Sequence, residues 1–411
     1  MKNGLLYLLP FLSSFSYAQV GIGTATPKAF FNVPEGRTVL FGNDTTGSVS
    51  SSQIFTPKLI WYSTKSAFRV GAISGSVDNY SAWDYANTGY YSFASGLNTQ
   101  ARGYAATSLG SRTTASGNYA TSMGNNATAS GEFSTAMGFS TTASNYYATA
   151  LGYQTTASGE AATAIGRGTT ASGIAAIAMG NSSFASGENA TAIGSSAFAN
   201  GRNSMALGSF VSTSTKSGSF ILGDNTDANS ITNTYVNSAN NQMMMRFSGG
   251  YMLYSSAPNT QASAVGVQLA SGDNAWQTLS DSTRKENFRA VDGVDFLKKI
   301  AQMRLGSWNY KGQDARLYRH YGPMAQDFFA AFGHDALGII GEDKSINQAD
   351  FDGVNLIAIQ ALIQEVNQLK EDNNNWRQEN AALKIQMQAR LEKIEATLQG
   401  QTTNQTLTLK P

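Results

Sequence analysis

Ser280 and Lys285 stand five residues apart in the run Leu279-Ser280-Asp281-Ser282-Thr283-Arg284-Lys285. A hydroxyl and an amine at that spacing can meet across one turn, and a neutral lysine can then serve as general base for the serine oxygen. A free lysine titrates near ~10.4, so the chemistry asks for burial or a neighbouring cation. Arg284 is such a cation, and packing within an oligomer would provide the burial. Ser282 and Thr283 are equally eligible hydroxyls on spacing alone, and by composition the run also reads as a polar linker.

The elements around this run must either position the pair or leave it idle. The 411-residue chain is too long for one ordinary domain. Its charges change abruptly at the run. Residues 19–279 hold 11 Lys/Arg and 10 Asp/Glu in 261 residues, against 16 and 17 in the 132 residues from Ser280 onward. The net charge of +1 argues against nucleic acid or an anionic membrane as partner. There is no cysteine, which excludes disulfides, thiol catalysis and thiolate metal sites. Residues 1–18 read as a secretory signal: Lys2, an apolar run from Leu5 to Phe15, and the small-x-small site Ser16-Tyr17-Ala18. No later stretch is apolar for long enough to span a bilayer.

Between residues 89 and 208 glycine recurs every seven residues, missing only at Asn145. A small residue stands two positions before nearly every glycine. A Leu, Met or Ile precedes every second one: Leu109, Met123, Met137, Leu151, Ile165, Met179, Ile193 and Leu207. The period is therefore 14, in two unequal halves. A short fixed period predicts stacked coils, each a pair of short strands with glycine corners at positive φ. The small residues are expected to point inward, with the single Leu, Met or Ile filling the remaining interior. Coils stacked at about 4.8 Å would make a unit roughly 40 Å tall. Such a narrow column calls for lateral association.

The units ATSLGSRTTASGNYATSMGNNATASG and ATAIGRGTTASG resemble the head repeats of trimeric autotransporter adhesins. The resemblance implies a left-handed parallel β-roll, three chains side by side, and binding to a host protein, matrix protein or glycan. Tyr119, Tyr146, Tyr147 and Tyr153 are candidate contact residues on the coils, or plain surface decoration. Upstream, QVGIGTATPKAFFNV resembles the opening of many exported Gram-negative surface and fibre proteins. Its Gly21-Ile22-Gly23 lacks the third glycine of a nucleotide loop. No cofactor and no metal site is expected.

The remaining segments divide as follows. Residues 19–88 form an N-terminal β-rich region, 89–208 the head repeats, and 209–279 a slender β-rich neck of alternating polar and apolar residues. Residues 280–353 are expected to form a small α+β domain. Val294, Leu297, Ile300 and Met303 recur there at helical spacing, and a second helix carries Met324, Phe328 and Phe332. A helix follows over 354–398, beginning near Asp352-Gly353, with residues 399–411 as a disordered tail. Its heptads place Ile359, Val366, Asn373, Asn380, Met387 and Ile394 at a, and Leu362, Leu369, Trp376, Leu383 and Arg390 at d. The register slips near the end towards Leu391 and Leu398. Polar Asn at a fixes register and oligomer state at a cost in stability. The fold class is thus mostly β, a parallel β-roll and neck followed by a small α+β domain and a coiled coil. A homotrimer is the economical assembly.

SDSTRKENF, WNYKGQD, HYGPMAQDFFAAFG and DGVNLIAIQALIQEV occur in that order from Ser280 to about Leu398. Together they resemble the intramolecular chaperone domain of phage endosialidases and tail fibres. The resemblance implies a domain that trimerises, templates the upstream β-structure and then cuts itself off between Leu279 and Ser280. It makes Ser280 the nucleophile and Lys285 its base. It also lets Asp281 shape the turn, and matches His320 to a histidine the family needs. Asn287 stands where some members carry a second histidine, and some relatives keep the chaperone without cleaving. As an enzyme the chain would be a single-turnover self-cleaving serine peptidase at most. A prophage-type tail fibre with a non-cleaving chaperone is the alternative. A secreted hydrolase fits less well, because the repeats carry no catalytic pair.

Overall fold

The computed structural model describes residues 20–22, 24–26, 31–34, 36–42, 55–74, 81–225, 234–256, 265–336 and 338–407. The expected signal segment, 1–18, lies outside them. The chain divides into two compact units: residues 1–251 with Ala270–Asn274, and residues 252–269 with 275–411.

In the first unit a parallel β-solenoid of about nine turns occupies residues 93–223. Its register repeats the sequence period: Thr121 pairs with Thr135, Ala136 with Ala150, and Gly152 with Gly166, each fourteen residues on. An antiparallel meander, Val39–Gly42, Phe55–Tyr62 and Ala67–Ser74, leads into it. Ala67–Ser74 then pairs parallel with the first coil strand, Phe93–Leu97.

Both series of small residues do point inward. Ala129, Ala143 and Ala157 in one, and Ser122, Ala136 and Ala150 in the other, are fully buried. Two further inward columns hold Thr113, Thr141, Thr155 and Thr169, and Ala120, Ser134, Ala148 and Ala162. With four small side chains per coil there is no room left inside. The Leu/Met/Ile series, expected to fill that interior, instead stands on the outer face. Met137 and Ile193 remain 37% and 39% exposed, and the series aligns in register as an apolar ladder. The reason is strand alternation: Ala136 points in, so Met137 beside it points out.

The positive φ expected at the glycine corners is found at every second one, Gly110, Gly124, Gly138 and Gly152 among them. A further left-handed φ falls two residues after each repeat position, on Tyr119, Phe133 and Ser140 among others, and on Tyr147 two residues after Asn145. What glycine supplies at both kinds of corner is close approach. A Cβ at Gly138 would lie 2.0 Å from the Gly152 carbonyl oxygen of the next coil. Gly138 has φ +122°, whereas Gly131 has no positive φ, yet its Cβ would meet the Asn145 carbonyl oxygen at 1.9 Å.

Arg69 occupies the inward column at the N-terminal end, in register with Ala94 and Ser108. It is fully buried and donates to the carbonyls of Phe68, Ser92 and Ala101 and to Ser92 Oγ at 2.6–3.0 Å. Burial lowers its pKa to about 10, still far above neutral, so the guanidinium remains charged. At the other end the same column closes with Ile221 and Met244.

The second unit holds the helices α1 (Gly293–Gln302), α2 (Ala325–Phe332) and α3 (Gln348–Leu407). Asp292 caps α1 by accepting from the amides of Val294 and Asp295. Gly293 lets α1 approach α3 closely, since a Cβ there would sit 2.8 Å from Ala361 Cβ. Phe296, Phe328, Phe332 and Phe351 form a chain of ring contacts between the three helices. Of the expected apolar face of α1, Leu297, Ile300 and Met303 are partly covered and Val294 stays exposed.

The long helix begins earlier than Asp352-Gly353 because Asn347 accepts from the Ala349 amide and caps it. It continues through Leu407, beyond the 398 boundary read from the heptads. Its 60 residues extend about 90 Å. Among its described side chains Ala358 and Ala361 are the buried ones, and the a and d positions Ile359, Leu362, Val366 and Leu369 are exposed.

Candidate functional site

The site is built on a single 3₁₀ turn, Ser282–Arg284. Upstream, Gly266–Ala270 and Gln277–Thr278 pair antiparallel, with Val267 opposite Thr278, and deliver the chain to Leu279. The Leu279 amide donates to the Gly266 carbonyl at 3.5 Å. Asp281 caps the turn, its Oδ1 accepting from the Thr283 amide at 2.9 Å. The amides of Arg284 and Lys285 close the turn on the carbonyls of Asp281 and Ser282.

This turn brings Lys285 back over Ser280. Its Nζ donates to Ser280 Oγ at 2.6 Å. Of the three hydroxyls that spacing allowed, the amine takes Ser280; Ser282 and Thr283 make no such bond. Asp281 has its pKa lowered, first by the Thr283 amide and then by the Thr283 side chain. Its carboxylate therefore stays charged and keeps the turn closed at neutral pH. Leu279 is half-buried, while Ser280 through Lys285 are exposed in the single chain.

His320 is placed elsewhere. It lies on the strand His320–Pro323, opposite Trp308 of Leu305–Trp308. Its ring stacks on Trp308 at 4.7 Å and meets Tyr310 edge-on at 5.6 Å. His320 Nε2 and Trp308 Nε1 are both buried without a hydrogen-bond partner. His320 thus contacts this aromatic group rather than the dyad. His334 is exposed against Phe329. Asn287 takes a left-handed φ of 60° two residues after Lys285, a conformation asparagine tolerates. Among the described residues no group of His, Asp and Glu could hold a metal ion, and no helix is long and apolar enough to cross a membrane.

The aromatic seat of Trp308 and Tyr310 around His320 was not singled out from sequence. The signal for it was present in WNYKGQD, where Trp308 and Tyr310 alternate to the same face of a strand end.

Two family models match the chain. Residues 115–141, 143–169, 157–183, 171–197 and 185–210 match the YadA head domain repeat. Residues 280–336 match the chaperone of endosialidase, the peptidase S74 model, beginning at the dyad serine itself. No curated protein matches the chain. The fold and the matches together define a YadA-type head solenoid followed by an endosialidase-type chaperone segment. That is the make-up of an adhesin-like or tail-fibre-like protein that carries a chaperone domain.

Proposed function

We propose that the protein is an exported, homotrimeric, adhesin-like fibre of a Gram-negative cell surface. Its C-terminal domain is an intramolecular trimerisation chaperone that cleaves the chain between Leu279 and Ser280. The observation that carries the reading is the 2.6 Å contact between Lys285 Nζ and Ser280 Oγ, held by a capped turn at the first residue of the chaperone match.

In the cleavage, Lys285 accepts the Ser280 hydroxyl proton as Oγ attacks the Leu279 carbonyl carbon. The C–N bond then breaks, the lysine proton passes to the departing Ser280 nitrogen, and the Leu279 acyl group rests on Oγ as an ester. Water attacks the ester carbonyl, leaving a Leu279 carboxylate and restoring the serine hydroxyl. Each chain reacts once. The exposed turn favours a reaction that follows assembly, because packing between copies would be what takes the dyad out of water.

Two outward apolar features support the trimer: the partly exposed Leu/Met/Ile ladder of the solenoid and the exposed a and d stripe of α3. Release of the template afterwards leaves the fibre kinetically trapped. The head is expected to bind a host protein, matrix protein or glycan. The dyad's exposure favours, as second reading, a fibre whose chaperone never cleaves. Denaturing gels of the wild type and Ser280→Ala separate the two: a wild type that stays full length after assembly rejects self-cleavage.

A further inference from the structure

Phe288, three residues beyond Lys285, is 97% exposed. It lies in an irregular segment, Glu286 to Val291, whose residues take no part in any hydrogen bond among the described residues. Hydrogen bonds therefore do not hold the segment to its own chain. Phe288 to Val291 form one wall of a 360 Å³ cleft, and the α3 residues Ile357, Gln360, Ala361 and Gln364 form the other.

The surface of α3 near that cleft is unusual along the helix. Its own-chain face is Val354, Ile357, Ala358 and Ala361. The a and d seam, Ile359, Leu362 and Val366, lies away from that face. Beside the seam, Leu356 and Ile363 are 69% and 57% exposed. One heptad position is apolar here and is filled by Lys370, Arg377 and Lys384 further on. A strip apolar at both d and this position is thus found in the part of α3 next to Phe288; the position turns apolar again only at Leu391 and Leu398, where d has become Arg390 and Thr397. Gln360, which lines the Phe288 cleft, is a surface neighbour of both Leu356 (four residues before) and Ile363 (three after). A second helix that covers this strip therefore ends beside Phe288.

We propose that Phe288 is seated only in the assembly, against α3 of a second copy of this chain, and that this seating closes protein over the Ser280–Lys285 dyad. The proposal rests on the self-associating, self-cleaving reading above and adds the residue that couples the two. Phe288 is a positioning residue: it touches neither reacting atom. Once docked, it pins a segment that begins directly after Lys285, so the turn is both fixed and shielded from water.

The chain has no cysteine, so a Phe288→Cys thiol is unique. In a Ser280→Ala background, which keeps the chain whole, maleimide labelling at 288 should be at least tenfold slower in the assembled protein than in the seam-broken Ile359→Glu variant. Equal rates in an assembled protein would overturn the proposal, whether or not the wild type cleaves. In the cleaving chain, Phe288→Ala should assemble normally by mass yet cleave at least tenfold more slowly, with its pH–rate profile displaced to higher pH. Phe288→Leu should restore both. A Phe288→Ala chain that cleaves at the wild-type rate and pH would also refute the coupling. If the wild type assembles but never cleaves, the cleavage reading fails while the thiol measurement still decides where Phe288 sits.

Discussion

Lys285 Nζ and Ser280 Oγ lie 2.6 Å apart on a turn that is exposed to solvent on every residue from Ser280 to Lys285. A contact this short without burial is an arrangement of geometry alone. On the self-cleaving reading proposed above, the catalytic environment comes from association.

Lys285→Met should abolish cleavage and leave assembly intact. A positioned general base contributes roughly 10²–10⁴-fold, so a residual rate at least ~100-fold lower is expected. Ser282→Ala and Thr283→Ala should cleave normally, because neither hydroxyl meets the amine. Densitometry of denaturing gels over time reads all three.

Asp281 supplies the turn's cap, and its charge sets the pH at which the cap fails. Its folded pKa is lowered by the Thr283 amide. The stabilisation is therefore present above the ordinary carboxylate pKa of ~3.9 and is lost as pH falls through the lower folded value. In Ser280→Ala the Thr283 amide resonance should titrate with a midpoint below ~3.9. In Asp281→Ala that titration should disappear.

The solenoid interior should respond to volume and to hydroxyl partners in opposite ways. Ser108 Oγ lies 2.8 Å from Thr113 Oγ1, whereas Thr155, facing Ala150, has no partner for its hydroxyl. Ala150→Ser should be neutral or stabilise by up to ~1 kcal/mol. Ala150→Leu overpacks a full column and should cost about 1–3 kcal/mol. Thermal unfolding of the isolated variants measures the sign of each.

Close approach rather than φ should dominate at the glycines. Gly131 has no positive φ, so Gly131→Ala isolates the approach, placing a Cβ 1.9 Å from the Asn145 carbonyl oxygen of the next coil; unlike a flexible side chain, that backbone cannot move aside cheaply. Loss of at least ~2 kcal/mol is expected. Tyr147→Gly relieves left-handed strain of ~1–2 kcal/mol but loses a 5.2 Å ring stack on Phe133, worth ~0.5–1.5 kcal/mol. The two nearly cancel, so its unfolding temperature should barely change.

The sequence displayed the solenoid because its period is also its register: each residue pairs fourteen positions on, so Gly138 and Gly152 mark successive coils directly. It also displayed the dyad, since five residues through one turn leave little freedom. It misplaced Met137 and its ladder because a Leu, Met or Ile in a Gly/Ala context suggests a core, and only strand alternation beside Ala136 shows that it points out. The left-handed corners at Phe133 and Tyr147 were invisible for a related reason. Nothing in their side chains favours that conformation; the coil imposes it. His320 shows the remaining limit, because its contacts come from Trp308 across a strand pair and not from sequence neighbours.

Intact-mass analysis of the assembled wild type and of Ser280→Ala tests the central claim most directly. Wild type should give two products, with the C-terminal fragment beginning at Ser280, and Ser280→Ala should give one full-length chain. An assembled wild type that remains full length, or a cut that persists in Ser280→Ala, would contradict the account.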